Sequence, residues 1–139
     1  MDNTIYTYKI MFTGSGKSLL CVIDNKLQLL PTPTEGSLQN YLWEISVSPE
    51  GDTCLYNSKN NVSIIDVHRV ATLVPGMTYG IRSHAIDIIK NLWIYNAAGS
   101  SIDYHMTVDP RGNVIFTDDV PERDCIWLQD PEKPVNNSV

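Results

Sequence analysis

In Gly14-Ser15-Gly16-Lys17-Ser18 a lysine follows a glycine and precedes a hydroxyl, the order in which a phosphate-binding loop presents its ammonium and its magnesium ligand. The chemistry would be nucleotide binding. That loop needs a glycine at the first place of its pattern to start the cradle of backbone N–H groups, and Met11 stands there. It also needs a helix behind the loop, whose N-terminus holds the phosphate. Leu19-Leu20-Cys21-Val22-Ile23 occupies that place, a short apolar run closed by Asp24-Asn25, which reads as a strand. The stretch is therefore expected to connect two strands, its glycines supplying unusual backbone angles.

Other reactive side chains form no recognisable constellation. His68, His84 and His105 are scattered, and neither H-E-x-x-H nor a Cys/His ligand spacing occurs, so no metal is implied. Cys21, Cys54 and Cys125 are an odd, widely spaced set without C-x-x-C, which speaks against a disulfide framework and for small packing residues. Asp118-Asp119 and Glu122 with Asp124 sit in a turn-rich stretch and read as a solvated loop rather than a catalytic carboxylate pair. No cofactor motif is present, and the chain is expected not to be an enzyme.

The 139 residues carry a formal charge of -6 and a pI near 4.8. That balance disfavours nucleic acid and anionic membranes, which require clustered Lys or Arg. No apolar run has the length of a membrane span, so no membrane insertion is expected. Met1-Asp2-Asn3-Thr4-Ile5 lacks a basic start and an apolar segment, so the expected location is cytoplasmic, with any release bypassing a classical secretion signal. The length fits one domain over residues 1–139.

The elements that would position these groups follow from a period of two. Tyr6, Tyr8, Ile10 and Phe12 alternate with Thr7, Lys9 and Met11, and Tyr41, Trp43, Ile45 and Val47 alternate in the same way. Turn signals such as Pro49-Glu50-Gly51, Asn60-Asn61, Pro75-Gly76 and Asp109-Pro110-Arg111-Gly112 separate the runs. The result is about twelve short strands, at 5–12, 19–24, 27–31, 41–48, 53–58, 62–67, 70–74, 78–83, 90–96, 104–108, 113–118 and 125–129. Ser83 to Asn91 is too short and too rich in isoleucine for a helix.

Three segments share one plan, an apolar run, an Asp, a polar turn and a second apolar run, with Asp24, Asp66 and Asp109 about 42 residues apart. Trp43 and Trp127 lie at about twice that interval, and Tyr79 to Arg82 occupies the middle place without a tryptophan. Three four-stranded units of this size resemble the all-β β-trefoil, with repeats at approximately 4–48, 49–88 and 89–130 and a tail at 131–139 expected to be unpacked. A β-sandwich is the competing architecture.

Within that fold the chain resembles the ricin-B-type lectins, fungal ones among them. The resemblance implies a non-catalytic, defensive glycan-binding protein with an Asp, an amide and an aromatic per competent repeat. Asp24 with Asn25, Asp66 with His68, and Asp109 with Asn113 match one repeat at a time, and Tyr104 or His105 is the expected stacking neighbour of the third pair. Such groups suit sugars, because carboxylate and amide bond hydroxyls while an aromatic face covers the C–H side. An Asp before a tight turn also caps the following backbone, so turn capping competes for these three residues. The family's Gln-x-Trp is not kept: Gln39 stands too far before Trp43, and no Gln precedes Trp127. The chain is also similar to the mycocypin-type protease inhibitors of the same fold, which implies exposed loops as the contact. Arg111 at its turn tip and the stretch stiffened by Pro31 and Pro33 are the candidates. Expected partners are glycans or glycoproteins, alternatively a protease, with a homodimer adding avidity to weak sites.

Overall fold

Alternation of buried and solvent-facing side chains is the pattern that drives the chain into strands. In Tyr8–Phe12 it is Ile10 and Phe12 that are buried. The structure is a computed structural model, and it describes residues 4–14, 18–33, 36–132 and 135–136. In chain order the strands are β1 (Thr4–Ile5), β2 (Tyr8–Phe12), β3 (Leu19–Ile23), β4 (Lys26–Leu30), β5 (Glu44–Val47), β6 (Thr53–Asn57), β7 (Val62–Val67), β8 (Val70–Pro75), β9 (Arg82–Ala85), β10 (Lys90–Tyr95), β11 (Tyr104–Val108), β12 (Val114–Thr117), β13 (Trp127–Pro131) and β14 (Val135–Asn136). Short 3-10 turns at Leu38–Tyr41 and Glu122–Asp124 precede β5 and β13. The Gly14–Ser18 connection joins β2 to the strand β3, not to a helix; Ser15, Gly16 and Lys17 lie outside the described residues.

The pairings close a ring. Trp127 of β13 faces Phe12 of β2, and β13 also pairs with β10 through Asn91 and Trp127. From β10 the ladder passes to β9, from Ile81 just before β9 to Thr53 of β6, and from β6 to β5. Trp43, just before β5, bridges back to Tyr8 with both backbone bonds at 2.9 Å. Six strands thus form a barrel without a free edge, which excludes the two-sheet sandwich. The other six main strands make three hairpins, β3–β4, β7–β8 and β11–β12, extending from β2, β6 and β10 respectively.

Three equivalent bridges, Tyr8 with Trp43, Thr53 with Ile81, and Asn91 with Trp127, relate the thirds of the ring by an approximate threefold axis. Ile81, almost fully buried, therefore occupies the place taken elsewhere by tryptophan, whereas Trp93 belongs to β10 and has no such counterpart. The core contains Ile10, Leu20, Trp43, Leu55, Met106 and Trp127 with neighbours from every repeat. All three cysteines are buried and free, and burial pushes their thiols up, as their packing role requires. The tail expected to be unpacked is engaged where it is described: Pro131 ends β13, Glu132 pairs with Lys9 at 2.9 Å, and β14 pairs with β1.

Two indoles tie barrel to hairpins. Trp43 Nε1 donates to the Leu20 carbonyl at 3.0 Å, and Trp127 Nε1 to the Met106 carbonyl at 2.8 Å, while Trp93 Nε1 is buried without a partner among the described residues. Replacing each tryptophan by phenylalanine removes similar volume, but only at positions 43 and 127 does it also strip a hydrogen bond from a buried carbonyl. Trp43→Phe and Trp127→Phe are therefore expected to cost about 1–3 kcal/mol more than Trp93→Phe, read from urea unfolding midpoints.

Candidate functional site

The hairpin tips are where the sequence makes its least comfortable choices. A two-residue hairpin turn whose twist matches the strands requires positive φ at both positions, which Asn and Gly tolerate best. The β3–β4 tip meets this with Asp24 (φ 54°) and Asn25 (φ 62°). The β7–β8 tip instead places His68 (φ 52°) and Arg69 (φ 69°) there; histidine adopts this region more readily than most residues, whereas arginine does so rarely. The third tip is longer. Asp109 opens a loop that Gly112, at φ 87°, turns back into β12.

Arg69 is held from several sides. The carboxylate of Asp66, buried on β7, accepts the Arg69 backbone N–H at 2.9 Å and pairs with the guanidinium, itself half exposed. The guanidinium carbon lies 3.9 Å from the ring centre of Tyr104 and 5.0 Å from that of Tyr95, within cation–π range of both. The Arg69 carbonyl accepts the Phe116 N–H at 2.9 Å, and Val70 pairs with Ile115. The tip of the second hairpin therefore docks on the third. Between them opens a depression of about 330 Å³ lined by His68, Arg69, Tyr104, Thr117, Asp118 and Asp119. The Asp119 N–H donates to Thr117 Oγ1 at 3.1 Å, and both residues of the Asp118-Asp119 pair are exposed.

The third tip is organised differently. The Asp109 carboxylate accepts the backbone N–H of Arg111 and of Asn113, each at 2.9 Å, and the Asn113 side-chain amide at 3.2 Å. These bonds, the Asn113 N–H first, hold its carboxyl below the ordinary aspartate value of 3.8. They also occupy most of its acceptor sites. The loop borders two further depressions of about 320 and 230 Å³, whose other walls include Leu27 and Val70 in one and Phe12, Ser18 and Leu29 in the other.

No protein-family model and no curated protein matches the sequence. Solved structures match it in shape. SeviL bound to asialo-GM1 saccharide superposes with a TM-score of 0.68 at 8% identity, covering 90% of this chain and 96% of that one. The designed threefold-symmetric protein ThreeFoil gives 0.66 at 13% identity, covering 89% and 97%, and the SDF2-like protein from Arabidopsis thaliana gives 0.54 at 12%, covering 98% and 97%. The fold is a β-trefoil.

Within the trefoil, the residues that the sequence marks fall into separate groups. Tyr104 lies at the far end of β11 from Asp109, roughly 16 Å away along a five-residue strand. It joins His68 instead and, through Arg69, Asp66. His105 is buried, with Nε2 3.7 Å from the Glu122 carboxylate. Asp109 and Asn113 bond each other, apart from both aromatics, and Asp24 and Asn25 are exposed at the first tip. The three aspartates are not equivalent, because Asp24 and Asp109 open their turns whereas Asp66 precedes its turn on β7. Trp43 and Trp127 are core residues. Arg111 is exposed at its loop tip, and so is Pro31, whereas Pro33 is half-buried.

Sequence reasoning misses Arg69, Tyr95 and Thr117. The available signal is His68-Arg69 between Val67 and Val70, a turn dipeptide poorly suited to its turn.

Acid should discriminate between the tips. With its carboxyl lowered in the folded state, Asp109 contributes fully above the ordinary value of 3.8, and the contribution is lost as pH falls from there through the folded value. Asp87, whose carboxylate accepts the Ile89 and Lys90 N–H groups in the β9–β10 turn, follows the same sign. Asp109→Asn is thus expected to lose less unfolding temperature than wild type between about pH 5 and pH 2, read by thermal melts at each pH.

Proposed function

We propose that this β-trefoil is a non-catalytic glycan-binding protein of lectin type, related in mode to the ricin-B-type lectins, and that its principal site is the depression between the second hairpin tip and the base of the third hairpin. The supporting observation is the His68-Arg69 tip. It holds Arg69 at a positive φ that a long side chain rarely adopts, and the guanidinium is fixed between Asp66 and Tyr104 at the edge of a depression whose wall combines polar groups with Val70, Ile115 and Phe116. Backbone strain held in place by surrounding contacts is characteristic of binding sites, where it preorganises the groups that meet the ligand.

The chemistry suits a polyol. Asp118 and Asp119 are acceptors for paired hydroxyls, the Arg69 fork supplies donors from a planar group that also stacks, and Thr117 and His68 add hydroxyl and imidazole edges. A shallow site of this kind binds weakly by itself, so pairing of two copies would raise avidity. The Asp109–Asn113 loop and the Asp24-Asn25 tip are secondary glycan contacts in this reading. SeviL bound to asialo-GM1 saccharide, a neighbour in fold, agrees with it.

A second reading, protease inhibition in the manner of mycocypins, draws on one feature. Arg111 stands on a loop whose backbone is already fixed by the Asp109 carboxylate, which lowers the ordering cost of entering a cleft. Residues 34 and 35 of the other loop candidate lie outside the described residues.

A glycan array of the purified protein, run beside Arg69→Gln, Asp118→Ala and Asp109→Ala with cooperative unfolding checked for each, separates these ideas. Binding that drops at least about tenfold in Arg69→Gln and Asp118→Ala but persists in Asp109→Ala is the expected result. Loss only in Asp109→Ala would move the site to the third tip. A blank array from folded protein overturns the lectin reading, and inhibition that disappears in Arg111→Ala would establish the second.

A further inference from the structure

The charges around the depression specify more than a polyol. Arg69 is the one permanent cation on its wall among the described residues, and its charge is already met by the buried Asp66 carboxylate, which takes part of its donor fork as well. One face of the guanidinium is covered by Tyr104. Asp118 and Asp119 also line the depression, exposed and without an ion-pair partner among the described residues. Beyond the wall, Asp103 adds a further carboxylate next to Tyr104 in the chain, bonded to the Asn96 amide. The chain as a whole carries -6.

We infer that the site takes uncharged glycans and rejects those ending in a carboxylated or sulfated sugar, with Asp118 and Asp119 as the residues that set this specificity. The inference rests on the lectin reading. An arginine whose fork is free recognises a carboxylate through two parallel hydrogen bonds. The charge of Arg69 is already balanced by a carboxylate of its own protein, so its remaining donors serve hydroxyls as well as they serve an anion, and an acidic sugar meets two uncompensated negative charges. Discrimination then comes from the repulsive element built into the rim rather than from extra contacts to the favoured ligand. A neutral sugar meets the same carboxylates as hydroxyl acceptors.

The effect has a predictable size and salt dependence. A single like charge at about 5–6 Å in water weakens binding roughly threefold, so two weaken it about tenfold at low ionic strength. Screening over about 3 Å at 1 M salt abolishes most of it.

The test is calorimetric titration with matched pairs of oligosaccharides that share one core and differ only in a terminal sialic acid or a sulfate, at about 50 mM and about 1 M sodium chloride. The neutral member is expected to bind at least about fivefold more tightly at low salt, with the ratio approaching unity at high salt. In Asp118→Asn/Asp119→Asn the low-salt ratio should fall by at least half, whatever happens to affinity for the neutral member. Equal or tighter binding of the acidic member by wild type, or an unchanged ratio in the double variant, overturns this inference and leaves the lectin reading in place. Absence of binding to every member overturns the lectin reading and this inference with it.

Discussion

Closure of the six-stranded ring is the constraint on which the molecule depends, and one bridge between Tyr8 and Trp43 completes it. Any open path of twelve strands would leave two edges of unpaired N–H and C=O groups, which water or another chain must satisfy. The bridge is made possible by the 3-10 turn at Leu38–Tyr41, which buries Tyr41 and delivers Trp43 to the inner wall. The turn at Glu122–Asp124 likewise leads the chain into the buried Trp127. Each indole then extends its N–H to a carbonyl of the neighbouring hairpin, so the residue that fills the barrel also fixes the angle of the cap. Packing and hydrogen bonding are thereby carried by one side chain, and neither can be altered alone.

The cap inherits a cyclic geometry from that ring. The tip of the second hairpin rests on the third, through Val70 with Ile115 and the Arg69 carbonyl with Phe116, and the loop of the third borders the base of the first. The three depressions described on this face are therefore shared between repeats. A site assembled in this way depends on contacts far apart in sequence, and its ligand chemistry can differ at each of the three positions while the barrel stays the same. Among them, the second tip combines a guanidinium, an aromatic ring and free carboxylates.

That geometry also explains which features are legible in the sequence. The strands are, because burial alternates along each and the turns between them carry Gly, Pro, Asn and Asp. Several boundaries are not: the strand expected at 5–12 is broken before Tyr8, and the one expected at 125–129 runs over Trp127–Pro131. The strand expected at 41–48 begins only at Glu44, since the residues before it wind into the 3-10 turn, and the one expected at 78–83 is found at Arg82–Ala85. Thr78 donates its N–H to Ser63 Oγ instead of joining a ladder. The candidate site is legible only in pieces. Asp66, His68 and Tyr104 all stand out, yet nearness along the chain groups Tyr104 with Asp109. A strand separates its two ends by its whole length, whereas docking of one hairpin on the next brings residue 69 against residue 104. Equal spacing of the three aspartates conceals a shift of position, because chain length between repeats varies while the barrel does not.

The middle repeat departs from the threefold pattern both in the core and on the cap. Ile81 fills the tryptophan place there, and an aliphatic side chain has no N–H to hand to its hairpin. The second hairpin is held against the third from outside, where Arg69 stacks on Tyr104 and its carbonyl accepts the Phe116 N–H, while the ion pair with Asp66 fixes the guanidinium within its own hairpin. These contacts place a charged, planar group at the surface. The positive φ at Arg69 is the local accompaniment of anchoring by a side chain that also faces solvent. Ile81 in the tryptophan place and the docking of Arg69 on Tyr104 and Phe116 are thus two departures of the middle repeat from the threefold pattern, one in the core and one on the cap.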